Sequence, residues 1–230
     1  MSVVSPDSAR PKAQPRLKQS RGSTRGLRQE YQLLTRRRLL DAALEVFDKQ
    51  GYGGATVEGI HSTAGVARAT FYLHFKNKME IVQCLTEEIR PSVATLYNDL
   101  DRAITAEGAD TTQAVRQWLV QALAWYEEPA HRIMGFVWQE LSVEVDSVVA
   151  RGISVDEHMP NYLALWPRRL RDSARTRLIL LSHLLSRAYF LSEHHVLPTD
   201  ENLMLDSLAD LWVSGLFPSS KTPLKRRKSS

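Results

Sequence analysis

The sequence predicts an all-α fold. Apolar residues recur at spacings of three and four along nearly every long segment, and no segment alternates convincingly at period two. Gly, Asn and Pro fall where helices start, stop or bend. Taken in order, helical periodicity begins near Thr35. Leu39, Leu40, Ala43, Leu44 and Phe47 form its apolar stripe, and Gly51 ends the run as a C-terminal cap does. Gly53 and Gly54 make a turn. A short helix follows from Thr56, with Val57, Ile60 and Ala64 on one face. Ala64-Gly65-Val66 is a tight corner, where Gly65 supplies a positive φ. A second short helix covers Ala67 to Phe75, and Phe71 and Phe75, four apart, point into one core.

Asn77-Lys78-Met79-Glu80 reads as a capping box, in which Asn77 caps the helix and Glu80 reaches back to it. The helix it opens is long, because Val82, Leu85, Ile89, Val93, Leu96, Leu100 and Ile104 keep one register. That register survives Pro91, which predicts a kink and not a break. Further helices are expected over 111–127, 130–149, 157–166, 171–195 and 199–216.

Composition bounds the class. The chain has 230 residues, 43% of them hydrophobic and 24% charged, as in ordinary globular domains. The lone Cys84 excludes an internal disulfide and a cysteine-based zinc site, which fits a cytoplasmic protein. No secretory signal and no membrane span is legible. Charge is unevenly placed. Residues 1–40 hold ten Lys or Arg against two acids, and residues 221–230 hold five against none. The whole-chain net of +4 leaves −9 for residues 41–220. An acidic body with basic ends points to local contact with a polyanion, although such ends also serve solubility alone. Residues 1–34, rich in Ser, Pro, Arg and Gln, read as a mostly disordered basic arm, and 219–230 as a basic tail.

Three short helices with a glycine corner between the second and third make a helix-turn-helix, whose last helix enters the DNA major groove. Val66, Phe71 and Phe75 serve the buried side. The other side carries the candidate DNA contacts. Arg68 can fork onto a guanine or hold a phosphate, and Thr70 can donate to phosphate or meet a thymine methyl. Tyr72 and His74 place polar tips on apolar bodies. Thr56, Ala67 and Ala69 complete the set, with Lys78 offering charge at a helix N-terminus that already favours phosphate.

The stretch TVEGIHSTAGVARATFYLHFKNKMEIV, after a helix ending in DKQGY, resembles the TetR family of bacterial transcriptional regulators. The resemblance runs over about residues 36–82 and rests on Phe47, Gly51, Thr56, Ile60, Ala64, Gly65, Val66, Thr70, Tyr72, Phe75 and Lys78. It implies a homodimer with an N-terminal DNA head, here 35–80, and a larger effector-binding and dimerisation body, here 81–218. Two positions depart from the pattern. Ala67 stands where a capping Ser or Thr is usual, forfeiting roughly 1 kcal/mol. His61 stands where a small alanine is common.

In the body, Leu178 to Leu191 and the last helix are apolar on nearly every side, so one side is expected to face the core and another a second copy. Leu181, Leu184, Leu185, Leu208, Leu211 and Trp212 are the interface candidates. Trp118, Tyr126, Phe136, Trp138 and Tyr162 are candidates for an effector pocket, against the plain alternative that they are core. His194 and His195 point about 100° apart on a helix and make no metal site. No cofactor is implied, and the catalytic elbow, zinc-protease, phosphate-loop and dinucleotide patterns are all missing, which argues against an enzyme. The expected function is a regulator, most simply a repressor released from a palindromic operator by a small hydrophobic or amphipathic effector. An activator or ligand-independent regulator of the same fold, and a non-specific architectural DNA binder, are the alternatives.

Overall fold

The computed structural model describes residues 21–144, 154–196 and 200–218. Residues 1–20, 145–149 and 219–230, which the sequence reading assigned to the arm, the fourth long helix and the tail, lie outside the described residues. The order is α1 (Arg21–Gly54), α2 (Val57–Thr63), α3 (Arg68–His74), α4 (Lys78–Thr105), α5 (Thr111–Trp125) and α6 (Pro129–Glu144). A 3₁₀ turn (Val155–His158), α7 (Pro160–Ala164), a second 3₁₀ turn (Arg168–Leu170), α8 (Arg171–Glu193) and α9 (Glu201–Leu216) follow. The chain is all-α, with the helix-turn-helix first and a larger helical body after it. No helix among the described residues is long and apolar enough to cross a membrane.

Two expectations on helix limits are corrected. Helix starts at Arg21 and not near Thr35. Residues 25–38 are dominated by Arg, Gln, Glu and Leu, all good helix formers, and no proline occurs between Pro15 and Pro91. Within residues 21–37, the Thr35 hydroxyl donates to the Tyr31 carbonyl at 2.8 Å. The helix expected over 157–166 is instead a 3₁₀ turn followed by α7, because Pro160 cannot continue a helix and opens a new one.

Local sequence explains the caps. Gly51 has φ 68° and ends the regular part of α1, and Gly65 has φ 65° at the α2–α3 corner. The Thr56 hydroxyl accepts from the Gly59 N–H at 3.0 Å at the start of α2. Asn77 accepts from the Glu80 N–H at 3.0 Å. The Glu80 carboxylate reaches one residue further back than the usual box, accepting from the Lys76 N–H at 2.7 Å. α4 runs unbroken through Pro91.

Two apolar cores form. The first gathers Leu39, Val46 and Phe47 from α1, Ile60 from α2, Phe71 and Phe75, and Ile81 to Ile89 of α4. Ile133, Met134 and Val137 of α6 complete it. Each fully buried side chain of this size contributes about 1.5–3 kcal/mol. The second gathers Val93, Tyr97 and Leu100 of α4 with residues of α5, α8 and α9, including Trp118, Leu181 and Trp212. α4 therefore serves both cores, and Pro91 falls between its two sets of residues. Beside it the Ser92 hydroxyl donates to the Ile89 carbonyl at 2.7 Å and accepts from the Trp125 indole N–H at 3.0 Å.

Candidate nucleic-acid interface

The helix-turn-helix is built from its corner outward. The Val66 N–H donates to the His61 carbonyl at 3.0 Å, and the His61 Nδ1–H donates back to the Val66 carbonyl at 3.1 Å. His61 thus braces the corner. Ala67 makes no side-chain cap, so α3 begins without one.

Phe71 and Phe75 anchor α3 inward. Arg68, Ala69, Tyr72 and Leu73 are all exposed, and their spacing places them on one edge of the helix. The Arg68 guanidinium lies 5.8 Å from the Tyr72 ring centre, and Tyr72 meets Phe71 edge-on at 5.4 Å. Thr70 and His74 are half-buried at the sides of this edge. Ala67 and Thr56 are exposed, with the Thr56 hydroxyl already accepting from Gly59. Leu73, 82% exposed, was not among the sequence candidates. The signal for it was its place one residue after Tyr72 and two after the anchored Phe71. Its methyls suit contact with a thymine methyl.

Lys78 behaves differently from the others. Its half-buried ammonium donates to the Tyr52 carbonyl at 2.6 Å and to the Ala55 carbonyl at 3.0 Å, and lies 4.2 Å from the Tyr52 ring centre. Glu140 of α6, which sequence reasoning did not single out, accepts from the Gly53 N–H at 2.8 Å.

The other candidates divide by burial. Trp118 is buried 4.6 Å from Trp212 and donates to the Leu96 carbonyl at 2.8 Å. Tyr126 is buried against Tyr189 at 4.9 Å, and the Tyr162 hydroxyl donates to the Leu216 carbonyl at 3.0 Å. Burial raises all three of the Tyr97, Tyr126 and Tyr162 hydroxyls above the ordinary phenol range. Phe136 and Trp138 on α6 are half-buried, Phe136 edge-on to Phe190 and Trp138 donating to the Thr86 hydroxyl at 3.2 Å. An open surface groove of about 440 Å³ is lined by residues such as Thr95, Asn98, Asp99, Arg102 and Asn161, and by none of these aromatics. Of the interface candidates, Leu181, Leu185, Leu208 and Trp212 lie in the core, whereas Leu184 and Leu211 are exposed. The His194 Nδ1–H donates to the Phe190 carbonyl at 2.9 Å, and no cluster of metal-ligating side chains occurs among the described residues.

A helix-turn-helix with an anchored inner face and an exposed polar edge defines a class of DNA-binding heads. Residues 39–85 match the family model described as "Bacterial regulatory proteins, tetR family". The chain is 49% identical over 51 residues to the HTH-type transcriptional regulator SrpR of Pseudomonas putida, covering 22% of this chain and 24% of that protein. It is 34% identical over 88 residues to the HTH-type transcriptional regulator TtgR, also of Pseudomonas putida, covering 38% and 40%. Less than half of either relative's length is thus spanned. Among solved structures, a tetR family transcription regulator from Shewanella sp. PV-4 superposes with TM-score 0.51 at 19% identity, covering 78% of this chain and 97% of that one, which is a likeness of fold. Residues 39–85 are thus similar to the helix-turn-helix region of the TetR family, and over the rest of the chain the likeness is one of fold.

Proposed function

We propose that this chain is a sequence-specific DNA-binding transcriptional regulator that acts as a homodimer on an inverted-repeat operator. The carrying observation is the exposed edge Arg68, Ala69, Tyr72 and Leu73 on a helix held from behind by Phe71 and Phe75. Thr70 and His74 flank that edge, and Thr56 and Ala67 stand at the helix starts nearby. Two such edges, related by a twofold axis, meet successive major-groove faces about 34 Å apart.

The simplest regulatory reading is a repressor released by a small hydrophobic or amphipathic effector. Support comes from α4, which packs in the head core at one end and the body core at the other. A ligand that favours one placement of α4 in the body shifts the head by its differential affinity, commonly ~1–3 kcal/mol. Selection of bound sequences from random duplex DNA tests the DNA reading. An inverted repeat with half-sites about one helical turn apart is the expected result. Recovered sequences without a dyad, or no enrichment at all, count against it.

A further inference from the structure

We propose that Glu140 and Lys78 are positioning residues that grip the Gly51–Ala55 corner from two sides and so set where α2 and α3 stand for DNA. The inference rests on the DNA-binding reading above. The corner is where α1 gives way to the helix-turn-helix, and its backbone groups need partners from outside the helix. Lys78, at the first turn of α4, takes the carbonyls of Tyr52 and Ala55 at 2.6 and 3.0 Å. Two of its three N–H donors are spent there, and its charge lies against the Tyr52 ring at 4.2 Å. Glu140 takes the Gly53 N–H at 2.8 Å from α6. Its other oxygen lies where a Cβ on Gly51 would meet it at 2.7 Å, so the missing side chain makes room for the carboxylate. Arg132, two turns earlier on α6, faces Asp48 of α1 at 3.6 Å and adds a second tie between the same helices.

The two grips come from the two helices that also join the head core, α4 through Ile81 to Ile89 and α6 through Ile133, Met134 and Val137. A shift of either helix is therefore delivered to the corner by a directed hydrogen bond and not only by apolar packing, which tolerates sliding. On this reading Lys78 serves DNA binding through the backbone it holds, and a phosphate is not its main partner.

The test uses the full-length protein, a duplex it selects from random DNA, and a scrambled duplex of equal length, each titrated over a salt series. Glu140→Gln keeps an acceptor for the Gly53 N–H and is expected to bind like the wild type. Glu140→Ala is expected to lose roughly 2- to 30-fold in affinity for the selected duplex. Its affinity for the scrambled duplex, its salt slope and its melting temperature are expected to stay unchanged. Lys78→Met is expected to show the same signature. A lost phosphate contact would instead weaken both duplexes and flatten the log–log salt slope by about 0.9. That pattern in Lys78→Met, wild-type affinity in Glu140→Ala, or a melting temperature that falls with operator affinity in Glu140→Ala overturns the proposal. If Lys78→Met does not fold, the two Glu140 variants decide alone, since that side chain is exposed and its helix is kept. Wild-type protein that selects no duplex overturns the DNA-binding reading itself and this inference with it.

Discussion

Gly51 holds φ 68°, a value that residues with a Cβ reach only at a cost of roughly 1–2 kcal/mol. A methyl there also meets the Glu140 carboxylate. Gly51→Ala should therefore lower the melting temperature by several degrees, at about 2–4 °C per kcal/mol for a chain of this size, and a thermal melt checks it; an unchanged melt would mean the corner relaxes freely. Arg68 carries the specificity argument at the same scale. Its guanidinium is exposed on the α3 edge, held near Tyr72. Arg68→Ala should cost about 1–3 kcal/mol on the selected operator and relax preference at one base pair per half-site. Uniform weakening over all sequences would assign Arg68 to a phosphate instead. These residues were legible because their signals are local: a glycine ending an apolar stripe, and a polar group three residues before a buried aromatic. Glu140, and the hold of Lys78 on backbone carbonyls, were not. Their partners are backbone groups 26 and 87 positions away, and a carbonyl advertises nothing in a sequence.

Among the helices, α4 and α6 carry the link between head and body, and only α4 was visible beforehand. Its stripe keeps register from Val82 to Ile104, so its length could be counted. α6 gave no such clue, because Ile133, Met134 and Val137 read equally well as core of the body to which the helix belongs in sequence. In the fold they close the core of the head, and Gly135 between them lets the Tyr126 ring approach to 2.9 Å of where a Cβ would stand. Met134→Ala should thus damage the head from outside it. The expected cost is about 2–5 kcal/mol for a buried Met, if the cavity does not collapse. Hydrogen exchange should rise in α1 to α3 and in the first turns of α4, while amides of α8 and α9 keep their protection. Loss of protection confined to α6 would show that the head does not depend on it.

For the molecule as a whole, the separation of two cores along one helix has a consequence for pH. The body core buries the Tyr97 and Tyr126 hydroxyls, and burial, first among the causes, holds both far above the ordinary phenol range near 10. Hydrogen bonds with Ser182 and Ser186 offset this only in part. Below about pH 10 folded and unfolded chains both keep these protons, so their contribution is complete. Above it the unfolded chain releases them first, binds fewer protons than the folded one, and is favoured as pH rises. Urea unfolding should show stability level to about pH 9.5 and then falling, by at most roughly 1.4 kcal/mol per pH unit for each phenol. Tyr97→Phe should make that fall shallower, and an equal fall in the variant would place the effect elsewhere.

The same scale governs assembly. The sequence reading expected the last two long helices to face a second copy, but periodicity cannot say which side of a helix apolar all round faces inward. Burial in the fold divides the two sides. Leu181, Leu185, Leu208 and Trp212 fill the body core, and Gly215 brings α9 within 3.0 Å of the Leu181 side chain at the position of a Cβ. What remains outside is Leu180, 62% exposed, with Leu184 one turn on along α8, and Leu203 and Leu211 along α9. A stable homodimer needs about 1,000 Å² or more of well-packed surface, and apolar stripes on two long helices are a fitting source. Leu184→Glu with Leu211→Glu should place unpaired carboxylates in that surface while leaving the monomer's own core untouched. Sedimentation at micromolar concentration should then show a monomer with unchanged helical content. Affinity for an inverted repeat should collapse while affinity for a single half-site stays near that of the parent, because only the coupling of two heads is lost. A double variant that still sediments as a dimer would move the interface to another face of the body.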